Sequence, residues 1–223
     1  MKVLLVYLPF CTPASPPYSL ANLYSFLSSN SKHDISVLDL NLVFHSLKFP
    51  KYKTYFQSGK WDDYENVVGD YQKLTKQVYY ENNRKVVKGL DPEYFAELVK
   101  KIEQEKPDLV AFSIVYSSQA FYAMALLKKL KIPTVIGGPC VNEKLVKLAD
   151  HHFKNELEFL QFIEGKTIKH TDLNFDFPLT FQGDYFTPHP VLPLKTSTTC
   201  YYQQCTFCNH YAKVPYKEYS LSN

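Results

Sequence analysis

The sequence predicts an α/β protein, with a doubly wound parallel sheet of Rossmann-like architecture. Short, continuous apolar segments recur along most of the chain, as is typical of strands buried on both faces of a parallel sheet. Between them lie segments with apolar residues at helical spacing. This alternation predicts right-handed crossovers with helices on both faces of the sheet. The length of 223 residues allows one or two domains.

The N-terminal elements are predicted as follows. A first strand covers residues 3–8, and a loop rich in proline follows at residues 11–19. Ser19 is predicted to cap a helix, and a second strand is predicted at residues 35–40. The apolar face of that helix consists of Leu20, Leu23, Tyr24 and Leu27. Residues 41–90 contain no strand-like segment, and we predict an irregular, partly helical excursion there.

A helix start is predicted at Asp91, Pro92 and Glu93. Aspartate is a good cap, proline suits the first helical position, and glutamate favours the positive end of the helix. The helix is predicted to end before Pro107. Its buried face is predicted to consist of Phe95, Leu98, Val99 and Ile102.

Two more strands and the helix between them come next. Short apolar segments predict the third strand at residues 109–115 and the fourth at residues 133–136. A largely apolar helix is predicted to begin after Ser117 and Ser118 and to end near Leu130.

Two further helices complete the predicted sheet domain, which spans residues 1–169. A short helix is predicted to bury Leu145 and Val146, and a longer one is capped by Asn155 and ended by Gly165. The inner face of the longer helix is predicted to consist of Leu157, Leu160 and Ile163.

The rest of the chain differs in pattern. Residues 170–190 contain several prolines and no periodicity, which predicts an extended interdomain linker. Residues 191–223 are predicted to open a second domain, with a strand at residues 191–197 that leads directly into Cys200.

A ligand cleft is predicted at the carboxyl ends of the strands, where doubly wound sheets bind their ligands. The cleft would be shallow and lined by residues 9–15, 113–118 and 137–141. Its candidate binding residues are Ser113, Ser117, Gly137 and Gly138. The two glycines permit a close backbone approach to a ligand, and a plain tight turn explains them equally well.

Composition excludes several classes of function. The net charge is +3, and no compact group of Lys and Arg indicates nucleic acid. No apolar segment reaches 18 residues, so no membrane span is predicted, and the apolar start lacks a signal-peptide cleavage site. Three of the five cysteines lie within nine residues, which is unlike a secreted disulfide scaffold and favours a reducing, cytoplasmic setting.

Cys200, Cys205 and Cys208 form a motif with spacers of four and two residues. Three thiolates on one loop can ligate three irons of a four-iron–four-sulfur (4Fe–4S) cluster and leave the fourth iron open. Zinc is an alternative, with His210 as the fourth ligand, although one residue between Cys208 and His210 is awkward for a tetrahedral site. Three unrelated cysteines are a further alternative.

The stretch PVLPLKTSTTCYYQQCTFCNHY resembles the start of the barrel in radical S-adenosylmethionine (SAM) proteins with an N-terminal cobalamin-binding domain. The likeness is greatest to a subset with the four-residue first spacing, found among peptide-maturation enzymes. The segments VYLPF, LDLN, KPDLVAFSI and VIGGP are similar to the cobalamin-binding-like domain of that family.

The resemblance implies a 4Fe–4S cluster on Cys200, Cys205 and Cys208, with SAM bound at its open iron and Phe207 packed on the adenine. It implies reductive cleavage of SAM to a 5′-deoxyadenosyl radical that modifies a peptide or a small molecule. It also implies cobalamin as a further cofactor in the cleft.

The chain departs from the family in four places. Thr198-Thr199 replaces the usual Arg-Gly, residues 153–156 lack the Gly-Glu-Gly-Glu turn, and no Asp-x-His-x-x-Gly motif is present. Only 15 residues follow Cys208, whereas a barrel needs roughly 150–200 more. We therefore expect a fragment or one half of a split protein, which needs a partner chain and is inactive alone.

A non-catalytic cobalamin- or ligand-binding module, with a relic or zinc-binding cysteine tail, is the alternative.

Overall fold

The computed structural model describes most of the chain. The described residues are 1–9, 11–169, 184–193, 197–198, 200–206 and 215–218. The chain divides into two compact units, Met1–Val191 and Leu192–Asn223. The first unit contains a parallel sheet, and the second contains a short antiparallel strand pair.

A sheet of five parallel strands lies at the centre of the first unit, as far as its described residues go. The strands are β1 (Lys2–Tyr7), β2 (Asp34–Asp39), β3 (Leu109–Ser113), β4 (Thr134–Gly137) and β5 (His151–His152). Their order is β2-β1-β3-β4-β5, which is the order of flavodoxin-like doubly wound sheets. The predicted α/β class with a parallel sheet of at least four strands is confirmed.

Helices cover both faces of this sheet. They are α1 (Tyr18–Asn30), α2 (Leu40–Lys48), α3 (Pro50–Gln57), α4 (Tyr64–Val87), α5 (Phe95–Gln104), α6 (Gln119–Lys129), α7 (Glu143–Val146) and α8 (Glu156–Glu164). The buried side chains of α1 and α8 form one core cluster, and those of α2 to α7 form the other.

Strand β1 explains why there are two cores. Its alternate residues point to opposite faces, since successive side chains of a strand do so. Val3, Leu5 and Tyr7 join the core under α1 and α8. Leu4 and Val6 join the core under α2 to α7. Because both sets are buried, the strand has the continuous apolar sequence that predicted it.

Several helix signals are confirmed in detail. Phe95, Leu98, Val99 and Ile102 are all buried, as the pattern of α5 predicts. The Asn155 side chain accepts a hydrogen bond from the Glu158 backbone amide at 2.9 Å and so caps α8. Gly165 ends the same helix with a φ of 63°, in the left-handed region that favours glycine.

Residues 41–90 contain no strand and are partly helical, as predicted, but the predicted irregular course is wrong, because α2, α3 and α4 occupy most of the segment. The Asp39 side chain, at the end of β2, accepts a hydrogen bond from the Leu42 amide at 2.9 Å and starts α2. Helix α4 buries a stripe at helical spacing, formed by Tyr71, Thr75, Val78, Asn82 and Val86. Two of these five residues are polar, so the apolar periodicity of α4 is weak.

Two predicted helix starts are also wrong. Helix α1 starts at Tyr18, and the Ser19 hydroxyl accepts a hydrogen bond from the Ser113 hydroxyl at 2.9 Å instead of capping the helix. Helix α5 starts at Phe95, after the predicted Asp91-Pro92-Glu93. The Glu93 amide donates to the Asn82 side chain of α4 at 2.7 Å, so a tertiary contact holds the segment before the helix.

Two side chains predicted inside lie outside. Val146 of α7 is 41% exposed and Leu157 of α8 is 39% exposed. Phe159 is buried on α8 together with Leu160 and Ile163. The predicted linker lies outside the described residues at positions 170–183, and its end from Asp184 belongs to the first unit.

The second unit contains one antiparallel strand pair within its described residues. Strands β6 (Ser197–Thr198) and β7 (Lys217–Glu218) pair in the register Ser197 to Glu218. The predicted strand at residues 191–197 is wrong at its start, because residues 191–193 lie outside any strand.

Candidate functional site: the carboxyl edge and the cysteine loop

The sheet has its topological switch point between β1 and β3, which are neighbours although β2 follows β1 in the chain. In a sheet of this order, ligands bind in the crevice outside the carboxyl ends at this point. The loops that follow β1, β3 and β4 therefore define the candidate ligand site.

Gln119 fills the space between the ends of β1 and β3. Its side chain is fully buried, and its Nε2 donates a hydrogen bond to the Leu8 carbonyl at 2.8 Å. Its Oε1 accepts from the amides of Val115 at 2.7 Å and Tyr116 at 3.0 Å. One amide thus satisfies three backbone groups that a ligand at the switch point could otherwise bind.

Three of the four predicted cleft residues lie together. Ser113 and Gly137 are register partners at the ends of β3 and β4, and Gly138 follows directly. Ser113 is buried and its hydroxyl donates to Ser19. Ser117 is exposed further along its loop, where its carbonyl accepts a hydrogen bond from the Ala120 amide at 3.2 Å.

Gly138 serves the packing of the chain itself. Its φ is 117°, which side-chain-bearing residues rarely adopt, and a Cβ here would lie 2.4 Å from the carbonyl oxygen of Ile114. The same carbonyl accepts a hydrogen bond from the Cys140 amide at 3.1 Å. This geometry favours the tight-turn interpretation of the double glycine, and binding of a ligand by Gly137 and Gly138 stays a prediction.

A second group of polar side chains lies at the ends of β1 and β2. Cys11 and Asn41 form a reciprocal pair: the Cys11 amide donates to Asn41 Oδ1 at 3.1 Å, and Asn41 Nδ2 donates to the Cys11 carbonyl at 2.8 Å. Tyr7 Oη lies 3.6 Å from Cys11 Sγ. The Tyr185 hydroxyl donates to the Asp39 carboxylate at 2.9 Å.

Burial sets the ionisation of this group. Burial raises the pKa of Asp39 to about 6, although hydrogen bonds from Leu42 and Tyr185 lower it. Burial also raises the pKa of the Cys11 thiol to about 11. Cys11 is therefore a neutral, packed thiol at neutral pH, and a thiolate nucleophile is not expected there.

His45 forms a separate buried cluster under α4. Its Nδ1 lies 2.5 Å from the Tyr71 hydroxyl and its Nε2 lies 2.6 Å from the Tyr79 hydroxyl. Burial lowers the pKa of His45 to about 3. The ring is therefore neutral, so one nitrogen accepts and the other donates. Sequence reasoning missed this cluster because its three members lie on two helices.

The cysteine loop is the segment of residues 199–216 between β6 and β7. Cys200 and Cys205 are free thiols, and each is partly buried. Gln203, between them, has a φ of 47°, in the left-handed region that few residues other than glycine adopt. Cys208, Phe207 and His210 lie outside the described residues. The antiparallel pairing of β6 with β7 brings the two ends of the loop together.

The donor set of the loop fits a thiolate-bound metal group. Thiolate sulfur is the ligand of iron–sulfur clusters and is common in structural zinc sites. No group of three His, Cys, Asp or Glu side chains poised for a metal occurs among the described residues, but Cys208 is not one of them. Two of the three predicted ligands are therefore placed on one loop as free thiols.

Comparison with family models, curated proteins and solved structures gave no match. None of the helices in the described part of the chain combines the length and apolar character needed to cross a bilayer.

Proposed function

We propose that this chain is the N-terminal portion of a radical SAM enzyme, in which Cys200, Cys205 and Cys208 bind a 4Fe–4S cluster. The observation that carries the proposal is the cysteine motif, with Cys200 and Cys205 free and partly exposed on a loop. The cluster would bind SAM at its open iron and supply the electron that cleaves SAM reductively to a 5′-deoxyadenosyl radical. Cobalamin is not part of this proposal.

The residues of the loop have distinct roles in this proposal. The three cysteines would ligate iron, and Gln203, with its positive φ, lies in the spacer between the first two. Phe207, next to the last ligand, would pack on the adenine of SAM. The aromatic side chains of Tyr201 and Tyr202 are 81% and 53% exposed, so they are available to cover a bound group.

The substrate class is a peptide or a small molecule, and its binding walls need more protein than this loop. The described residues of the second unit contain one short strand pair and residues 200–206 and 215–216 of the cysteine loop. Radical chemistry needs a fixed substrate and exclusion of water. We therefore expect turnover to require a partner chain or further barrel strands, and we expect the chain alone to be inactive.

A structural zinc site is the second candidate, and the antiparallel pairing of β6 with β7 favours it. A β/α barrel places successive strands parallel, whereas these two strands close the cysteine loop as a hairpin does. A closed loop with three thiols and His210 has the four ligands that structural zinc needs.

Anaerobic reconstitution with iron and sulfide separates the two candidates. The radical SAM proposal expects about four irons per chain, visible absorption of an iron–sulfur cluster, and a change in the reduced cluster's EPR spectrum when SAM is added. Zinc at one equivalent in the purified protein, with no iron incorporated, would contradict it. Incubation with SAM and dithionite, followed by assay of 5′-deoxyadenosine, tests the expected lack of turnover.

A further inference from the structure

Residues 184–187, which we name the strap, cross the carboxyl edge of the sheet. Tyr185 and Phe186 lie at its centre. The Phe186 amide donates to the Pro13 carbonyl at 2.8 Å, in the loop after β1. The Tyr185 carbonyl accepts from Gln57 Nε2 at 3.0 Å, and the Tyr185 hydroxyl donates to Asp39 at 2.9 Å. The strap is thus bonded to the loop after β1, the end of β2 and the last residue of α3.

The two central side chains of the strap enter opposite cores. Tyr185 is 4% exposed and packs in the core under α1 and α8. Phe186 is 3% exposed and packs in the core under α2 to α7, where its ring lies 6.0 Å from His45 and 6.1 Å from Tyr71. The strap therefore straddles the edge, with one aromatic side chain on each side of the sheet.

The ends of the strap also make contacts. Asp184 has a φ of 68° and its carboxylate lies 3.6 Å from the Lys53 ammonium group. The Thr187 amide donates to the Tyr185 carbonyl at 2.8 Å, which closes a tight turn. The second unit begins at Leu192, five residues after Thr187.

Little room is left for a large cofactor in the described part of this edge. Gln119 fills the space between β1 and β3, and the backbone at Gly138 lies against Ile114. Beside the strap, among Pro16, Gln57 and Pro188, the cavity volume is about 240 Å³. Sites for small molecules usually have volumes of about 300–1,000 Å³, and the corrin ring of cobalamin is larger than an ordinary small-molecule ligand, so this cavity is too small for it. These residues do not fit cobalamin.

We propose that the strap is a built-in occupant of the ligand crevice, which takes the place of a cobalamin or nucleotide and anchors the segment that enters the second unit. Within the described residues, a ligand at the ends of β1 and β2 would have to displace Tyr185 and Phe186 from the two cores. The sheet domain would then hold no cofactor at this edge. This inference is independent of the cysteine loop, so it can fail while the proposed function holds.

The test combines ligand binding with amide hydrogen exchange on the full chain. Hydroxocobalamin is the probe, and we expect its red colour to separate from the wild-type protein on gel filtration. We expect the Phe186 amide to exchange as slowly as amides of β1. Stoichiometric cobalamin binding, or a Phe186 amide that exchanges at the rate of an unfolded chain, would overturn the proposal.

Two variants sharpen the exchange measurement. Phe186→Ala should accelerate exchange at residue 186 by roughly 100-fold, since the aromatic anchor is lost. Phe162→Ala removes the same side chain from a site that is 38% exposed on α8 and should leave that amide unchanged. If Phe186→Ala does not fold, Tyr185→Phe is the second variant. It keeps the ring, removes the hydrogen bond to Asp39 and should accelerate amide exchange at residue 186 by about 10-fold. Unchanged exchange at residue 186 in Tyr185→Phe and in any folded Phe186→Ala would contradict the anchoring role.

Discussion

Polar side chains at the carboxyl edge are buried and bonded to the chain itself, whereas the described thiols of the cysteine loop are free and partly exposed. Asn41 and Gln119 are 1% and 0% exposed, and each makes several hydrogen bonds to backbone groups. Cys200 and Cys205 carry free thiols on a loop whose spacer residues are exposed. The difference suggests that the edge serves stability, and that chemistry is to be sought at the loop.

The largest effect should follow from removing a ligand of the cysteine loop. Cys205→Ser should abolish nearly all cluster binding after reconstitution, because the proposed 4Fe–4S cluster needs three thiolate ligands from the protein. The free energy of unfolding of the first unit should change by less than about 0.5 kcal/mol. Iron and sulfide analysis, with urea denaturation, measures both.

Cys140→Ser is the matched control, because Cys140 is a partly buried free thiol of the first unit. It should keep full iron incorporation. A Cys205→Ser protein that still binds four irons would remove the main distinction between the two regions.

Because His45 is buried in its neutral form, we expect the free energy of unfolding to fall strongly in acid. Its folded pKa is about 3, below the ordinary value of about 6.5, so the folded state disfavours the charged ring. The stability contributed by neutral His45 is fully present above pH 6.5 and is lost as the pH falls toward 3, by about 5 kcal/mol in all. Urea unfolding at pH 7 and at pH 4.5 should differ by about 2–3 kcal/mol from this group.

His45→Gln is the comparison variant, since glutamine can donate and accept but does not titrate in this range. The difference between its pH profile and that of the wild type isolates His45. Parallel profiles between pH 7 and 4.5 would show that the ring is hydrated or protonated in the folded protein.

Gly138→Ala should destabilise the protein by about 3 kcal/mol or more, because the new Cβ would lie 2.4 Å from the Ile114 carbonyl oxygen. Two glycines provide controls. Gly165→Ala meets no atom within 4 Å but keeps a φ of 63°, and should cost about 1 kcal/mol. Gly69→Ala lies within α4 in open space and should stabilise by about 0.5–1 kcal/mol. Thermal denaturation of the three variants should give this order.

We expect Asp39 to make the free energy of unfolding depend on pH with the opposite sign to the contribution of His45. Its folded pKa is about 6, above the unfolded value of about 3.9, so the folded state binds the proton more tightly. The stability from this group is present below pH 3.9 and is lost as the pH rises to 6, by about 2–3 kcal/mol. Asp39→Asn keeps a capping side chain and should remove this slope. The measurement is urea unfolding of both proteins from pH 4 to 7.

The fold was predictable where apolar patterns are local. The continuous apolar segment of β1 and the stripe on α5 predicted elements that the structure contains. Helix α4 lies in a segment predicted as partly helical, but its bounds were not predicted, because Thr75 and Asn82 occupy two positions of its buried stripe. Strand β5 was missed because both of its residues, His151 and His152, are exposed, so no apolar pattern marks it.

The position of the candidate site at the carboxyl ends of the strands was predictable, but the side-chain contacts that occupy it were not. Topology placed the carboxyl ends of the strands together, as expected for Ser113 and Gly137. The contact between Asp39 and Tyr185 joins residues 146 positions apart, and no local pattern encodes such a pairing. The spacing of Cys200, Cys205 and Cys208 predicts a metal-binding loop because such a motif is local in the sequence, and metal binding there stays a prediction.

The strap also has a consequence for biosynthesis. A chain leaving the ribosome can form β1 to β5 and α8 once Gly165 has emerged, but both cores stay open at one edge until Tyr185 and Phe186 follow. At elongation rates of about 5–20 residues per second, those twenty residues take about 1–4 s. During that interval Phe56 and Tyr71, whose rings pack against Phe186 in the folded protein, lack that contact. We therefore expect nascent chains of this protein to bind chaperones until the strap docks.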